Sequence, residues 1–437
     1  MQSPDDSRIS DDFKKELKSF VAQIESLKEA LIMSMVINQT FASKAFKAIE
    51  EFEKEHCIVD EKEDGRHVSV PVEQYNKWKR LKHRCDQSAL AAKLIPRSIL
   101  VSLHSQFDAF LGRILRLIFI AKPELLNPSN RQITFSEVVE FSSIDAVREH
   151  IINKEIENLL RESRADQFEW MEKRFSTPLT RFDSWSTFIE VSQRRNLFVH
   201  TDGIVSRQYL EECKNHKCAI ESELSEGDSV GVPHAYFEEA ASCIIEVGVK
   251  LAQVLWRKFM PDQSEEADDN LNGLAYDLID HGEYKTAIKL LEFAVEFVKR
   301  PTQERKMTFI VNLAQAYKWD GEDRQCERIL SGVDWSALGD KFVLAEAVLR
   351  EDWSRAIIVM RRVGSGGGID KHNYRDWPLF RQFRKKPEFT QAYSDIFGDQ
   401  FPINIDPHNS ALPAGEANGL APTVAEPDYV NTEGSIL

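Results

Sequence analysis

One short segment, between residues 193 and 210, holds the side chains whose types and spacing best suit a chemical site. Arg195, Asn196 and His200 stand there within six residues, in the run Arg-Asn-Leu-Phe-Val-His. Histidine has an unperturbed pKa close to neutral pH, and arginine is a planar cation that binds oxyanions through paired hydrogen bonds. Together, these side-chain types are suited to proton transfer beside an anionic group.

A helix must position these three side chains. Asn196 and His200 are four residues apart, so on a helix they share one face. Arg195 points about 100° away from that face, and only its long side chain can bring the guanidinium toward His200. The pattern predicts this helix over 185–200, with Asp183 as a plausible N-cap and a glycine three residues beyond His200 as a plausible stop.

The motif and its surroundings resemble the HEPN ribonuclease superfamily. Arg195 and His200 fit its R-x4-6-H pattern, and Asn196 stands directly after the arginine, as in that pattern. The resemblance covers about residues 90–260: an all-helical domain with an early apolar helix (Ser-Gln-Phe-Asp-Ala-Phe-Leu-Gly-Arg-Ile-Leu) and the motif on a late helix. Arg97 and His104 also match the spacing, but without the asparagine, and we give that match no weight.

The resemblance implies a metal-independent endoribonuclease that uses no cofactor. In such enzymes two domains pair so that two motifs face each other, which implies a homodimer here. His200 would act as general acid and base, Arg195 would clamp the phosphate, and Asn196 would orient the histidine or the scissile group. The 2′-hydroxyl of RNA would be the nucleophile, leaving a 2′,3′-cyclic phosphate. The biological setting implied by analogy is antiviral defence or toxin-like RNA cleavage.

Three further side chains are weaker candidates for the same site. Arg194 and Arg207 are predicted to contact neighbouring phosphates of the substrate, and Asp108, on the apolar helix, to tune the site. Two alternatives stay open. The motif can be a solvated arginine and a helix-terminal histidine, or the chain can be a non-catalytic HEPN/TPR scaffold for protein–protein interaction.

Other chemical signals in the chain are weak. Cys213 and Cys218, with His216 between them, could hold zinc, but no second ligand pair stands at the spacing of a zinc finger. The glycine-rich run 364–368 lacks the following Gly-Lys-Ser/Thr of a phosphate-binding loop, which indicates a flexible linker. We therefore expect no metal.

The predicted fold class is all-α, with a HEPN-like helical bundle over 71–260 followed by a TPR-like α-solenoid. The most apolar helix, 98–121, should lie at the centre of the bundle, and 235–259 should close it. Proline residues should interrupt the helical pattern between these segments, beginning at Pro96. Residues 53–67 are dense in charge and predict a solvated loop.

An N-terminal helical extension is predicted for 1–70. Its apolar residues recur at alternating steps of four and three, which lines one face of a helix. That face either packs on its own domain or forms an intermolecular seam. The residues of this face are Phe13, Leu17, Phe20, Ile24, Leu27 and Leu31.

Helical repeats are predicted for 266–398. The first unit places small Ala275 and Ala287 where two antiparallel helices cross and Gly282 at the turn between them, which resembles a tetratricopeptide (TPR) repeat. Later units are degenerate. TPR grooves commonly bind peptides, so we expect a protein or peptide partner here. The acidic tail, 399–437, is predicted to be disordered.

Charge and composition restrict the partners. The 437 residues carry 56 basic and 71 acidic groups, a net charge of −15, which excludes indiscriminate coating of nucleic acid. Residues 71–260 nevertheless hold 26 of each sign, so a local cationic site can exist there. RNA is the expected substrate and DNA is not. Six scattered cysteines and the lack of an apolar stretch of membrane-spanning length predict a cytoplasmic protein with no membrane partner.

Overall fold

The computed structural model describes residues 4–62, 65–127, 135–299 and 301–402. It confirms the all-α class: within those residues the chain forms sixteen α-helices, short 3-10 turns and one two-stranded sheet. In chain order the elements are α1 (Pro4–His56), β1 (Ile58–Lys62), β2 (Gly65–Ser69), α2 (Tyr75–Ala121), α3 (Phe135–Glu140), α4 (Ile144–Arg161), α5 (Arg164–Phe175), α6 (Trp185–His200), α7 (Arg207–Asn215), α8 (His234–Phe259), α9 (Ser264–Asp280), α10 (Tyr284–Phe297), α11 (Gln303–Trp319), α12 (Asp323–Ser331), α13 (Asp340–Leu349), α14 (Trp353–Val363), α15 (Lys371–Asp376) and α16 (Pro387–Phe397).

The chain divides into two compact units between Asp352 and Trp353. This division differs from the sequence-predicted boundaries near residues 70 and 260, because α1 and the first repeats share one hydrophobic core with the helices between them. A periodic apolar face shows that a helix is buried, but it does not show which helices it is buried against.

Helix α8 is the centre of the first unit. Every residue from Cys243 to Trp256 is buried, as expected for a helix that is covered on all sides. α8 contacts α1, α2, α6, α9 and α10, so it joins the N-terminal helix, the helix of the Arg-Asn-x3-His motif and the repeats in one core.

Helix α1 buries the face that its periodicity predicts. Five of the six predicted residues are buried in the core and Leu27 is half-buried, so the face packs within its own unit rather than forming an intermolecular seam. A buried lysine, Lys28, bonds to Glu238 of α8 at 2.7 Å and to Glu283 before α10. These ion pairs raise the pKa of Lys28 although its burial opposes them.

The outer parts of α1 and α2 form an antiparallel helical hairpin that ends in a small sheet. β1 and β2 pair from Ile58↔Ser69 to Lys62↔Gly65, so residues 58–62 and 65–67 of the predicted loop are strand, and its first four residues belong to α1. The loop prediction was wrong there because dense charge does not distinguish an exposed strand pair from a loop. Helix α2 also continues through Pro96, which was expected to break it. A proline removes one hydrogen bond of the helix, and Pro96 is nevertheless buried within α2, which packs on both sides of it.

The repeat region of the first unit consists of antiparallel helix pairs. α9 and α10 are joined at Gly282 and α11 and α12 at Gly321, and both glycines have a positive φ (84° and 85°) that a side chain would disfavour. The relation of these pairs to TPR repeats stays a prediction. In the second unit, aromatic side chains of α14, α15 and α16 pack together with those of the 3-10 turns between α15 and α16.

Two findings bear on other sequence predictions. Among the described helices, none combines the length and the apolarity needed to cross a bilayer. The predicted disordered tail lies, from residue 403 onward, outside the described residues.

The contact between α1 and α8 predicts a stability effect at Gly248. A Cβ there would lie 2.5 Å from the ring of Phe20, which is fully buried and stacked on Phe110 at 4.1 Å. Gly248→Ala should therefore lower the free energy of unfolding by about 1–3 kcal/mol, as overpacking of a core does. Gly273→Ala, where a Cβ meets nothing within 4 Å, should raise it by about 0.5–1 kcal/mol. Urea unfolding followed by circular dichroism tests both, and equal effects would contradict the close contact.

Candidate active site

Helix α6 has the bounds that the sequence predicts, Trp185–His200, although its start differs in detail. Its N-cap is Ser184 rather than Asp183, and no side chain caps it. The buried face of α6 includes Phe188 and Val191, which pack into the main core. Phe188 contacts Phe107 of α2 and Phe168 of α5, and Arg195 follows Val191 by four residues, so this packing turns Arg195 toward α2 and α5.

The turn after His200 is held by backbone and side-chain bonds. The amides of Thr201 and Gly203 both donate to the carbonyl of Leu197, and Gly203 has φ +80°, so it ends the helix as predicted. Arg97 of α2 donates to the backbone oxygen and to the carboxylate of Asp202, each at 2.9 Å. Arg97, which together with His104 also matches the spacing of the motif, therefore stabilises the turn at the end of α6.

The predicted site residues meet at a cleft of about 520 Å³. Arg195, Asn196, His200 and Asp108 all line it, so the structure brings together side chains from α2 and α6 that are far apart in sequence. The cleft also receives side chains from α7 and from the junction between α4 and α5. Its other polar lining residues are His104, Arg161, Glu162, Ser163, Arg164, Gln167, Ser192, Gln193, Thr201, Ser206, Gln208 and Tyr209.

The guanidinium of Arg195 is only partly engaged. One terminal nitrogen donates to the amide oxygen of Asn196 at 3.0 Å. Its Nε is buried and has no hydrogen-bond partner, which is uncommon for a buried donor. His200, in contrast, is exposed at the last position of the helix. The amide oxygen of Asn196 therefore accepts a hydrogen bond from Arg195. A role of Asn196 in orienting the histidine or the scissile group stays a prediction.

Arg164 is a site residue that sequence reasoning missed. Its side chain is only 8% exposed and donates to Asp108 and to Gln167, each at 2.6 Å, while its guanidinium lies over the ring of Phe107. Asp108 and Arg164 are 56 residues apart, and no local pattern joins them. A weak signal was present: Arg164 opens a helix whose N-cap is Ser163, where the helix dipole disfavours a cation.

His104 lies in the wall of the cleft but is held neutral. It is fully buried, and its Nε2–H donates to the carbonyl of Val191 at 3.2 Å. Burial, together with the positive charges of Arg164 and Arg195, lowers its pKa well below the usual 6.5. Its proton is thus committed to a structural bond, and His200 is the other imidazole that lines the cleft.

The two additional arginines predicted from the sequence lie elsewhere. Arg194 bonds to Glu190 at 2.7 Å and stacks on Tyr236 at 4.0 Å, so its guanidinium is engaged in a buried network. Arg207 is exposed and pairs with Glu211 at 2.8 Å. Neither lines the cleft, so the structure gives no support to phosphate contacts by these two side chains.

The other chemical candidate, at Cys213 and Cys218, also packs as part of the fold. Cys213 is buried in a small apolar cluster with Tyr209 and Val205, and Cys218 is half-buried against it. Within the described residues, no group of three or more His, Cys, Asp or Glu side chains is arranged to hold a metal ion.

Comparison with protein-family models, with curated proteins and with solved structures finds no match for this chain. Three guanidiniums (Arg161, Arg164 and Arg195) and two carboxylates (Asp108 and Glu162) line the cleft beside one exposed imidazole. This set can bind an anionic group and move a proton next to it.

The burial of His104 predicts a pH effect on stability. The pKa of His104 is lower in the folded protein than in the unfolded chain. As the pH falls through about 6.5, the unfolded chain therefore binds a proton that the folded protein does not bind. Acid thus lowers the free energy of unfolding. His104→Gln should make this decline shallower between about pH 7 and 5, by at most about 1.4 kcal/mol per pH unit. The exposed His83→Gln is the matched control. Denaturation curves at each pH test this, and an unchanged pH slope in His104→Gln would contradict a neutral, buried His104.

Proposed function

We propose that the protein is a metal-independent endoribonuclease whose active site is the cleft around His200. The observation that carries the proposal is the meeting of Arg195, Asn196, His200 and Asp108 in one polar cleft. Three of them form the motif by which the chain resembles HEPN ribonucleases. The resemblance supplies the reaction class, and the geometry supports it.

The arginines of the cleft would bind the scissile phosphate. Arg195 has N–H donors, including the buried Nε–H, that no acceptor of the protein satisfies. The oxygens of a phosphate match the geometry of a guanidinium well. Arg164 is neutralised by Asp108, so it contributes less net charge unless the carboxylate is displaced. The positive charge of this site is therefore local and modest, which suits a chain whose net charge is −15.

The reaction needs two proton transfers. As the 2′-oxygen of RNA bonds to phosphorus, a base takes its proton; as the bond from phosphorus to the 5′-oxygen breaks, an acid protonates that oxygen, leaving a 2′,3′-cyclic phosphate and a 5′-hydroxyl. One cleft offers His200 but not the buried His104 for these steps. A second His200, from another copy of the chain, would complete the pair, which makes the active form a homodimer.

The remaining parts of the chain would control where and when this site acts. The repeats α9–α12 lie in the same core as the cleft-bearing helices, so a protein or peptide bound to them could direct the nuclease. A cytoplasmic role in antiviral defence or toxin-like RNA cleavage fits this arrangement of a nuclease with a targeting module.

Two substitutions test the proposed reaction. Purified wild-type protein, incubated in EDTA with single-stranded and structured RNAs, should produce fragments that end in 2′,3′-cyclic phosphate. His200→Ala removes the proton-transfer group and Arg195→Ala the phosphate clamp, so each should reduce the cleavage rate by about 10²–10⁴-fold. Gel analysis of labelled RNA measures the rate, and mass spectrometry identifies the ends.

Matched controls separate the site from general loss of charge. Arg207→Ala removes an exposed arginine outside the cleft, and His83→Ala removes an exposed histidine of α2; both should cut at the wild-type rate. If the wild type leaves every RNA intact, even with candidate activators, the protein is instead a non-catalytic scaffold. Cleavage that survives in His200→Ala would assign any activity to another site.

A further inference from the structure

Two cysteines, Cys213 and Cys218, lie side by side at the end of α7. All six cysteines of the chain are within the described residues, and all six are free thiols. The sulfurs of this pair are joined by a hydrogen bond, in which the thiol of Cys213 donates to Cys218. The proposed nuclease reaction uses neither side chain, so their close contact calls for its own explanation.

The backbone turn that ends α7 brings the two cysteines together. The amide of Cys218 donates to the carbonyl of Cys213 at 2.8 Å, and the amide of Lys217 donates to the carbonyl of Lys214 at 3.2 Å. Lys217 has φ +55°, so these bonds form a Schellman motif whose C-cap is His216. In this motif the residue three positions before the C-cap contacts the second residue after it, and here both residues are cysteines.

The same hydrogen bond limits the separation of the two backbones. A distance of 2.8 Å between the amide nitrogen and the carbonyl oxygen holds the two Cα atoms no more than about 6.7 Å apart. Disulfides span Cα separations of about 4.4–6.8 Å. The two sulfurs, which already contact each other, can therefore be joined while the turn stays in place.

The two thiols differ in exposure and in proton affinity. Cys213 is only 1% exposed within its apolar cluster, whereas Cys218 is half-buried between the exposed Lys217 and Ala219. The hydrogen bond from Cys213 lowers the pKa of Cys218, although burial opposes this effect, and the same bond raises the pKa of Cys213. A reagent from solvent therefore meets the more acidic thiol first.

The other four cysteines are less reactive by the same criteria. Cys85, Cys243 and Cys326 are buried, and burial raises the pKa of each. Cys57 is half-buried, and its partial burial also raises its pKa. Because the thiolate rather than the thiol is the nucleophile, Cys218 is the cysteine best suited to attack an electrophilic oxidant.

The pair lies against the helix that carries the proposed active site. Tyr209, one turn before Cys213 on α7, donates a hydrogen bond to Glu190 of α6 at 2.7 Å. Between the two cysteines, the ring of His216 contacts that of Trp185 at the start of α6, with 6.2 Å between the ring centroids. A covalent change at this pair would therefore occur beside the contacts that hold α6 in place.

We infer that Cys213 and Cys218 form an oxidation site, at which a hydroperoxide converts the two thiols into a disulfide. The thiolate of Cys218 attacks one oxygen of the hydroperoxide, so that a sulfur–oxygen bond forms and the oxygen–oxygen bond breaks. The leaving oxygen takes a proton and becomes an alcohol, or water when the reagent is hydrogen peroxide.

The second step closes the disulfide. The sulfur of Cys213 attacks the sulfur of the sulfenic acid on Cys218, and the hydroxyl leaves as water with the proton of Cys213. The two thiols together lose two electrons, and the peroxide gains them. Where cellular thiols are kept reduced, thiol–disulfide exchange would return the pair to its starting state.

Oxidation of the full chain by hydrogen peroxide tests the site. The reduced, desalted protein should lose about 2 Da, without forming a species of twice the chain mass, and dithiothreitol should restore the original mass. Trypsin cleaves after Lys214 and Lys217, between the two cysteines, so the disulfide should join peptides 208–214 and 218–250. Because peptide 218–250 also contains Cys243, fragment-ion spectra identify which of its two cysteines is linked.

Single substitutions separate the roles of the two thiols. In Cys213→Ala, peroxide should leave a sulfenic acid on Cys218, which dimedone traps as an adduct that the intramolecular disulfide prevents in the wild type. Cys218→Ala should give neither the disulfide nor this adduct. Cys57→Ala, at the other half-buried cysteine, is the matched control and should form the disulfide in the wild-type yield. Circular dichroism checks that each variant keeps its helices, and Cys213→Ser replaces Cys213→Ala if that variant fails to fold.

Three outcomes would overturn the inference. They are a wild type that keeps all its thiols in an excess of peroxide, a disulfide that joins another pair of cysteines, and a disulfide that joins two chains. An adduct on Cys213 in Cys218→Ala, formed as readily as that on Cys218 in Cys213→Ala, would overturn the assigned order of attack. No RNA enters these measurements, so their result is independent of whether the protein is a nuclease.

Discussion

The buried carboxylate of Glu190 determines how α6 sits, and the cleft depends on that placement. One of its oxygens accepts hydrogen bonds from Arg194 and Tyr209, and the other from Tyr236, all at 2.7 Å. Side chains of three helices, α6, α7 and α8, are thereby joined by hydrogen bonds to this one carboxylate. Removing a partner from a buried ion pair typically costs about 3–5 kcal/mol, so this network sets the rotation of α6 about its axis. It also raises the pKa of both tyrosines, since burial and the nearby carboxylate oppose their ionisation.

The rotation of α6 explains the different positions of two adjacent arginines. Arg194 points inward to Glu190, and the next residue, about 100° further around the helix, must point elsewhere. That direction is the cleft, where Arg195 meets Asn196 and the wall formed by His104. The same network that satisfies a buried charge thus leaves a neighbouring guanidinium available to a ligand.

Sequence reasoning succeeded where the interaction is local. The bounds of α6, the glycine stop at Gly203 and the buried face of α1 follow from periodicity and from backbone preferences within a few residues. Prediction from the sequence failed where contacts between distant segments determine the structure. The pairing of Arg164 with Asp108, the inward direction of Arg194 and the helix through Pro96 all depend on packing between elements, which a single sequence does not encode in any local pattern.

The net charge of the chain bears on the proposed homodimer. In a chain of net charge −15, two copies repel each other at long range, and this repulsion is weakened by salt. Association that buries enough apolar area can exceed the repulsion, because the hydrophobic term grows with the area removed from water. A nuclease site assembled in this way would form only as the protein concentration rises, which ties RNA cleavage to the abundance of the protein itself.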